Sequence, residues 1–212
     1  PGATATHGQR MKLRRFEAYN DSISRMQKTT ESDYASIATT LLAGGLAVLR
    51  TDTIYGVIAS ANNQRACEKI YELKGRDGDK ACIVLVADES QMWDDASRRA
   101  FQRAVPLIDD NYPTSVIVEI GADTPDWIHR GKDSVAFRIP RTAPWLIELL
   151  KLTGPLIAPS ANPQGLAPAT DIDEAIAYFG EAVDAYVDGG EVQSNEPSHL
   201  YQVHQDKVER LR

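Results

Sequence analysis

The sequence predicts an α/β (α+β) domain that is built on one β-sheet of mixed strand direction. Apolar residues make up 42% of the 212-residue chain, which is enough to form a sizeable core. Segments with a helical spacing of apolar residues alternate with short apolar runs that are typical of buried strands. The alternation is irregular and several strands follow one another directly, which disfavours a regular doubly wound sheet.

The first half of the chain contains predicted helices at 33–43, 64–74 and 89–104. The first two follow capping serine, aspartate or asparagine residues, and the third is charged and amphipathic. Predicted strands cover 46–50, 57–60 and 82–87, because these segments are short and strongly apolar. The stretch TDTIYG (51–56) is predicted to be a turn between the first two strands.

The second half of the chain is richer in predicted strands. These cover 115–120, 134–139, 155–159 and 185–190, and two short tail strands follow at about 199–203 and 207–211. A helix is predicted at 144–152, where Pro144 fits the first turn. Another is predicted at 171–180, since Asp171 can cap it and Gly180 can end it.

The N-terminal segment is set apart from the domain. Residues 1–30 are interpreted as a tail or an expression remnant, and 31–212 as the folded domain. The first residues lack the apolar stretch of a signal peptide, and no run approaches the ~18 apolar residues of a membrane span. Cys67 and Cys82 form no CxxC motif, so they are expected to be reduced core residues. A cytoplasmic location is therefore expected.

The composition and the missing motifs exclude several classes of function. The net charge of −7 argues against broad binding of nucleic acid or acidic membranes, although it allows a small positive cleft. Weak or no direct binding of nucleic acid is therefore expected. The sequence has no GxxxxGK[ST], GxGxxG, HExxH or GxSxG motif, and its four histidines are scattered. A zinc enzyme or a triad hydrolase is unsupported, and no metal site is predicted on protein side chains.

Two loops carry the residues that point to chemistry. In ELKGRDGDKACIVLV (72–86), Lys74, Arg76 and Lys80 stand in one glycine-containing loop before an apolar strand. Arginine supplies a planar fork for a phosphate or carboxylate and lysine supplies a movable point charge, although cations after a helix also stabilise its dipole. In LIAPSANPQG (156–165), Ser160 and Asn162 follow a strand end, where α/β sheets place ligands, although a simple polar turn also fits. We expect the two loops to face each other across one anion site.

Taken together, five stretches resemble the YrdC-type threonylcarbamoyl-AMP synthases in order and spacing. They are TDTIYG, ELKGR followed by DKACIVLV, SVAFRIP, PLIAPSANPQG with Thr170 after it, and VDGG. The resemblance covers about residues 33–212 and is to the short, single-domain bacterial form. It implies a twisted mixed sheet with flanking helices around a large, concave, positively charged cavity.

The resemblance also implies an activity. ATP, L-threonine and bicarbonate would become threonylcarbamoyl-AMP and pyrophosphate, with Mg²⁺ bound through the phosphates. A separate tRNA threonylcarbamoyl transferase complex would then use the product to make N6-threonylcarbamoyladenosine in tRNA.

The resemblance assigns roles to residues of this chain. Lys74, Arg76, Ser160 and Asn162 match the family's catalytic KxR and SxN motifs. The residues that match ATP-contacting positions are Lys74, Arg76, Lys80, Ser115, Asn162, Thr170 and Arg212. The residues that match threonine-contacting positions are Thr53, Ser160 and Ser198.

Some residues depart from the family pattern, and two alternatives stay open. Arg50 and Asp77 replace prolines, Leu85 stands where longer relatives often carry histidine, and Glu119 stands where they often carry a cation. One alternative is a non-catalytic paralogue that binds RNA or ribosomes through the concave face. The other is the carbamoyl-adenylate step of hydrogenase maturation, whose proteins carry zinc-finger cysteines that this sequence lacks.

Overall fold

The computed structural model describes residues 27–193, 198–205 and 207–212. The strands of this part are β1 (Gln27–Thr30), β2 (Ala47–Arg50), β3 (Tyr55–Ser60), β4 (Val84–Leu85), β5 (Thr114–Glu119), β6 (Ser134–Arg138), β7 (Leu156–Ile157), β8 (Ala185–Asp188), β9 (His199–His204) and β10 (Lys207–Arg210). The α-helices are α1 (Tyr34–Leu42), α2 (Gln64–Lys74), α3 (Asp95–Ala104), α4 (Asp126–His129), α5 (Pro144–Thr153) and α6 (Ile172–Phe179). Short 3-10 turns cover Glu31–Asp33, Glu89–Gln91, Val105–Leu107 and Gly180–Ala182.

The strands form one mixed sheet, as the sequence predicts. Their order is β1-β8-β2-β3-β7-β4-β6-β5-β9-β10. The pairs β1–β8, β2–β8, β4–β6 and β5–β9 are parallel, and the other neighbours are antiparallel. The antiparallel neighbours follow from strands joined by short turns, such as β2–β3, which need no crossover helix.

Helices cover both faces of the sheet, because its central strands are apolar on both sides. Ala47 and Leu49 of β2 pack in a cluster with residues of α1 and α5. Val48 points the other way and packs in a cluster with residues of α2, α3 and α6. Cys67 and Cys82 are buried free thiols, which agrees with the expected core role.

The predicted helix 89–104 is shorter than expected because two aspartates each start a separate segment. The Asp88 side chain accepts from the Ser90 amide and caps the turn Glu89–Gln91. The Asp94 side chain accepts from the Ser97 amide and caps α3. The chain between the two is extended and buries Met92, so this apolar residue belongs to a connection rather than to a helix.

The other differences concern short elements. Residues 27–30, which the sequence places in the tail, form β1 beside β8. The physical reason is that main-chain hydrogen bonds to the edge of the sheet order a strand without an apolar signal. Residues 1–26 lie outside the described residues, and the domain division there stays a prediction. In the part of the chain that the structure describes, no helix is long and apolar enough to cross a membrane.

Candidate active site

A cavity of about 280 Å³ lies against the face of the sheet that carries Leu85 and Arg138. Its lining is Thr51, Thr53, Ile54, Tyr55, Gly56, Arg76, Ala81, Cys82, Ile83, Leu85, Arg138, Ala158, Pro159, Ser160, Ser198 and Arg212. These described residues include three arginines and no acidic side chain. The cavity therefore favours anions although the whole chain is acidic.

Arg138 lies at the centre of the polar side of the cavity. Its Nε donates to Ser115 Oγ over 2.9 Å, and its Nη2 donates to Ser198 Oγ over 2.8 Å. Its Nη1 donates to Thr53 Oγ1 at 3.2 Å and to Asp52 Oδ1 at 3.1 Å. Ser115 and Arg138 are direct partners across β5 and β6, so their side chains leave the same face of the sheet.

Asp52 is the buried anionic partner of Arg138. Its side chain is 1% exposed and that of Arg138 is 7% exposed. Among the described residues, the second carboxylate oxygen of Asp52, Oδ2, has no hydrogen-bond partner. Burial raises the pKa of Asp52, and the Arg138 charge and hydrogen bond oppose this rise. The pair holds the guanidinium in one orientation beside the cavity.

Arg76 reaches the cavity from the loop after α2. Gly75 ends the helix in the left-handed conformation with φ of 59°. The Arg76 side chain then folds over its own loop, where Nε donates to Lys80 O at 3.0 Å and Nη2 to Ala81 O at 3.2 Å. Its remaining donors can meet an anion in the cavity.

Lys80 lies on the outside of the same loop. Its ammonium is 2.6 Å from Asp77 Oδ2, and both side chains are at least half exposed. Hydrogen bonds from Lys80 and from Gln164 lower the pKa of Asp77. Lys80 is absent from the described cavity lining, and Asp77 partly neutralises it.

Lys74 and the SxN turn meet directly, but behind the wall of the cavity. Lys74 is 4% exposed, and its Nζ donates to the main-chain carbonyls of Ser160 and Asn162. The main-chain N–H of Gln164 donates to the main-chain carbonyl oxygen of Lys74 at 2.7 Å. The end of α2 and the turn after β7 are thus in direct contact, and the anion site that the sequence places between the two loops stays a prediction.

Ser160 and Asn162 differ in their access to the cavity. Ser160 lines it, and its hydroxyl donates to Asn162 Oδ1 over 2.6 Å. The Asn162 Nδ2 group donates to Leu166 O at 2.7 Å and to Pro163 O at 3.1 Å. Asn162 is absent from the described lining, and its amide shapes the turn.

Ser198 and the C-terminal Arg212 close one side of the cavity. The Arg212 Nε donates to Ser198 O over 3.0 Å. Main-chain bonds between Arg212 and Leu200 bring the last residue back to the start of β9. Both residues line the cavity, and the ligand contacts that the resemblance implies for them stay a prediction.

Ser115 and Thr170 do not line the described cavity. Ser115 is fully buried beneath Arg138 and lies 3.3 Å from the Ser198 hydroxyl. Thr170 precedes α6, and its hydroxyl donates to Glu174 over 3.0 Å. Both hydroxyls serve local hydrogen bonds in this structure.

Arg138 and Asp52 are the site residues that the sequence reasoning missed. Arg138 ends the apolar strand SVAFR, and an arginine in such a strand is buried only with an anionic partner. That rule was the available signal, since Asp52 stands in the TDTIYG turn that the sequence already singles out.

The residues that depart from the family pattern have separate surroundings. Arg50 donates to Gly189 O over 3.0 Å, and the Tyr55 hydroxyl donates to Gly190 O over 2.8 Å, so both hold the VDGG loop. Leu85 lines the cavity. Glu119 lies on the surface, where its carboxylate is 4.0 Å from His204.

Comparison with known proteins identifies the family. The Sua5_yciO_yrdC family model, described as "Telomere recombination", matches residues 39–212. The threonylcarbamoyl-AMP synthase of Bacillus subtilis (strain 168) is 32% identical over 186 residues, which are 85% of this chain and 52% of that protein. The threonylcarbamoyl-AMP synthase of Marinobacter nauticus is 29% identical over 77% of this chain and 87% of its own length. The chain belongs to the Sua5/YciO/YrdC family.

Solved structures show the same fold. The structure of P. abyssi Sua5 complexed with L-threonine has a TM-score of 0.75 and 24% identity, over 88% of this chain and 56% of that chain. E. coli YciO has a TM-score of 0.69 and 17% identity, over 88% of this chain and 93% of that chain. The mixed sheet with flanking helices is therefore the family fold.

Proposed function

We propose that the chain is an L-threonylcarbamoyladenylate synthase, a nucleotidyltransferase that acts on ATP, L-threonine and bicarbonate. The observation that carries the proposal is one cavity whose described lining combines three arginines with hydroxyl side chains and has no acidic side chain. The arginines are Arg76, Arg138 and Arg212, and the hydroxyl-bearing residues are Thr51, Thr53, Tyr55, Ser160 and Ser198. Relatives that carry the name threonylcarbamoyl-AMP synthase support this choice of substrates.

The geometry supports a division of the cavity between an amino acid and a nucleotide. Arg138 has five N–H donors, and four of them bind described residues. The acceptors are Ser115, Asp52, Thr53 and Ser198. The fifth donor and the nearby hydroxyls suit the carboxylate of threonine. Arg76 and Arg212 have donors for the phosphates and the nucleotide. The other positions that the resemblance assigns to ATP lie outside the described lining and would need to move to contact ATP; they are Lys74, Lys80, Ser115, Asn162 and Thr170.

The reaction then needs positioning and charge stabilisation. L-Threonine and bicarbonate first give the carbamate and water. A carbamate oxygen attacks the α-phosphorus of ATP, its P–O bond forms, and the bond to the β-phosphate oxygen breaks to release pyrophosphate. Charge develops on the phosphoryl oxygens, and fixed cations stabilise it without reorganisation.

Mg²⁺ fits this cavity only as a companion of the phosphates. Hard divalent ions prefer carboxylate and other oxygen ligands, and the described lining offers hydroxyls and arginines but no carboxylate. The ion would add positive charge at the phosphates when ATP binds.

The product determines the next partner. Threonylcarbamoyl-AMP is an activated acyl phosphate, so a transferase must take the threonylcarbamoyl group and release AMP. We propose that the tRNA threonylcarbamoyl transferase complex does this in the cytoplasm, with N6-threonylcarbamoyladenosine as the result. Direct binding of tRNA is weak or missing in this proposal, because the net charge is −7.

Pyrophosphate release with each substrate omitted in turn tests the proposal. We expect release only when ATP, L-threonine and bicarbonate are all present. Release that ignores threonine would show that another acceptor is used. A salt series of gel shifts with tRNA tests the RNA-binding alternative, which requires a complex that weakens steeply as salt rises.

A further inference from the structure

The hydrogen bonds of Lys74 leave no free donor on its ammonium group. A lysine ammonium has three N–H donors and no acceptor. The described structure provides three acceptors for it, which are the carbonyl oxygens of Ser160 and Asn162 and, at 3.3 Å, Asn162 Oδ1. Lys74 is 4% exposed and is absent from the described cavity lining. An ammonium bound in this way has nothing left for a phosphate.

Lys74 also affects the orientation of the Ser160 hydroxyl, because both groups bind Asn162. The Asn162 amide is held at both ends, since Oδ1 accepts from Lys74 and Nδ2 donates to Leu166 O. Oδ1 also accepts from the Ser160 hydroxyl over 2.6 Å, which fixes the direction of the serine hydrogen. A hydroxyl has one donor and two acceptor lone pairs, so Ser160 keeps its lone pairs for the cavity. Ser160 is thereby presented to a ligand as a hydrogen-bond acceptor.

We infer that Lys74 is a positioning residue that holds the 160–162 turn so that Ser160 accepts from the amino-acid substrate, and that Lys74 is not a phosphate ligand. The inference rests on the proposed function for the identity of that substrate. Its N–H groups, on threonine or its carbamate, are donors of the kind that such a hydroxyl accepts. Arg76, two residues further on, lines the cavity and keeps donors for the phosphates.

The ionisation of Lys74 gives this role a pH dependence. Burial, and then the nearby Arg76 charge, lower the pKa of Lys74 to about 8. The other titratable group that acts on it is the Cys82 thiol, whose pKa is raised by burial. Loss of the Lys74 proton removes one of its three donors and loosens the turn. Ionisation of the Cys82 thiol requires a higher pH, because burial raises its pKa.

Two matched variants separate positioning from phosphate binding. Lys74→Met and Arg76→Met each replace a cation by an apolar chain, and calorimetric titration with ATP measures the result. We expect Lys74→Met to raise the ATP Kd less than threefold and to lower kcat at least thirtyfold, while Arg76→Met raises the Kd at least tenfold. An equal rise of Kd in both variants overturns the inference.

A double variant tests whether Lys74 acts through Ser160. If it does, Lys74→Met combined with Ser160→Ala lowers kcat about as much as the worse single variant. Multiplication of the two single effects overturns the inference.

The wild-type pH profile gives the same distinction, because positioning predicts that kcat falls above pH 8 while the ATP Kd stays constant. A rise of the ATP Kd in that range points to phosphate binding and contradicts us.

The wild-type protein provides a test that needs no variant to fold. The 15N signal of the Lys74 ammonium should be protected from exchange and should keep its chemical shift at saturating ATP. A large shift on adding ATP contradicts the inference. These binding measurements do not require turnover, so they remain decisive even if the proposed activity fails, which the absence of pyrophosphate release by the wild type would show.

Discussion

Replacement of Arg138 by methionine tests the buried ion pair beside the cavity. The Arg138 and Asp52 side chains are 7% and 1% exposed, and Oδ2 of Asp52 already lacks a partner among the described residues. Removal of the arginine leaves a buried carboxylate without its counter-charge, which costs about 3–5 kcal/mol of unfolding free energy. At about 2–4 °C per kcal/mol for a chain of this size, the Tm falls by roughly 6–20 °C.

The assay is chemical and thermal denaturation of Arg138→Met, Asp52→Asn and the double variant. The double variant should recover part of the loss, since Asp52→Asn removes the uncompensated charge. An unfolding free energy of Arg138→Met within about 1 kcal/mol of wild type would contradict this prediction, because that loss is far below the cost of a broken buried pair. A double variant that is less stable than Arg138→Met alone would also contradict the prediction.

The same variant has a predictable pH dependence. Burial already raises the pKa of Asp52 against the Arg138 charge, and without that charge the folded-state pKa rises further above the unfolded value of about 3.9. A raised carboxyl pKa gives stability that is present at low pH and is lost as the pH rises through the folded-state pKa. The deficit of Arg138→Met relative to wild type should therefore be smaller at pH 5 than at pH 8. A deficit that grows on acidification contradicts this account.

Three further variants concern the cations around the cavity. Arg76→Ala should raise the ATP Kd at least tenfold at unchanged Tm, since a charge-assisted hydrogen bond is worth ~1.5–3 kcal/mol; wild-type ATP binding by calorimetry would show that our phosphate assignment is wrong. Deletion of Arg212, which lines the cavity, should raise the ATP KM or lower kcat without a large change in Tm, and unchanged kinetics would remove its role. Lys80→Ala should change the ATP KM less than threefold, because Lys80 is exposed and paired with Asp77; a tenfold rise in KM would show that Lys80 leaves Asp77 to bind ATP.

The mixed sheet was predictable because apolar runs and helical spacing report burial directly. The bounds of α3 were less predictable, since Asp88 and Asp94 are both plausible caps and only tertiary packing of Met92 selects the extended link between them. Strand β1 carries no apolar pattern that distinguishes it from a tail. It becomes a strand because β8 offers an edge of free main-chain groups.

At the site, the sequence predicts which residues lie near the cavity but does not predict their hydrogen-bond partners. The cavity is lined by Arg76, Ser160, Ser198, Thr53 and Arg212, and their contacts with substrates stay a prediction. The sequence does not tell which donors of a cation are already used by the protein. Lys74 and Arg76 look equivalent in a glycine-containing loop, yet one is saturated by the 160–162 turn and the other is not.

The fate of labelled bicarbonate in the complete reaction shows directly whether the protein makes threonylcarbamoyl-AMP. The purified protein is incubated with ATP, L-threonine and carbon-13-labelled bicarbonate, and the nucleotide products are separated and weighed by mass spectrometry. We predict an adenylate that carries both threonine and the labelled carbon, formed in equal amount with pyrophosphate. Pyrophosphate accompanied only by AMP, or by an adenylate without the label, would show that the protein is not a threonylcarbamoyl-AMP synthase.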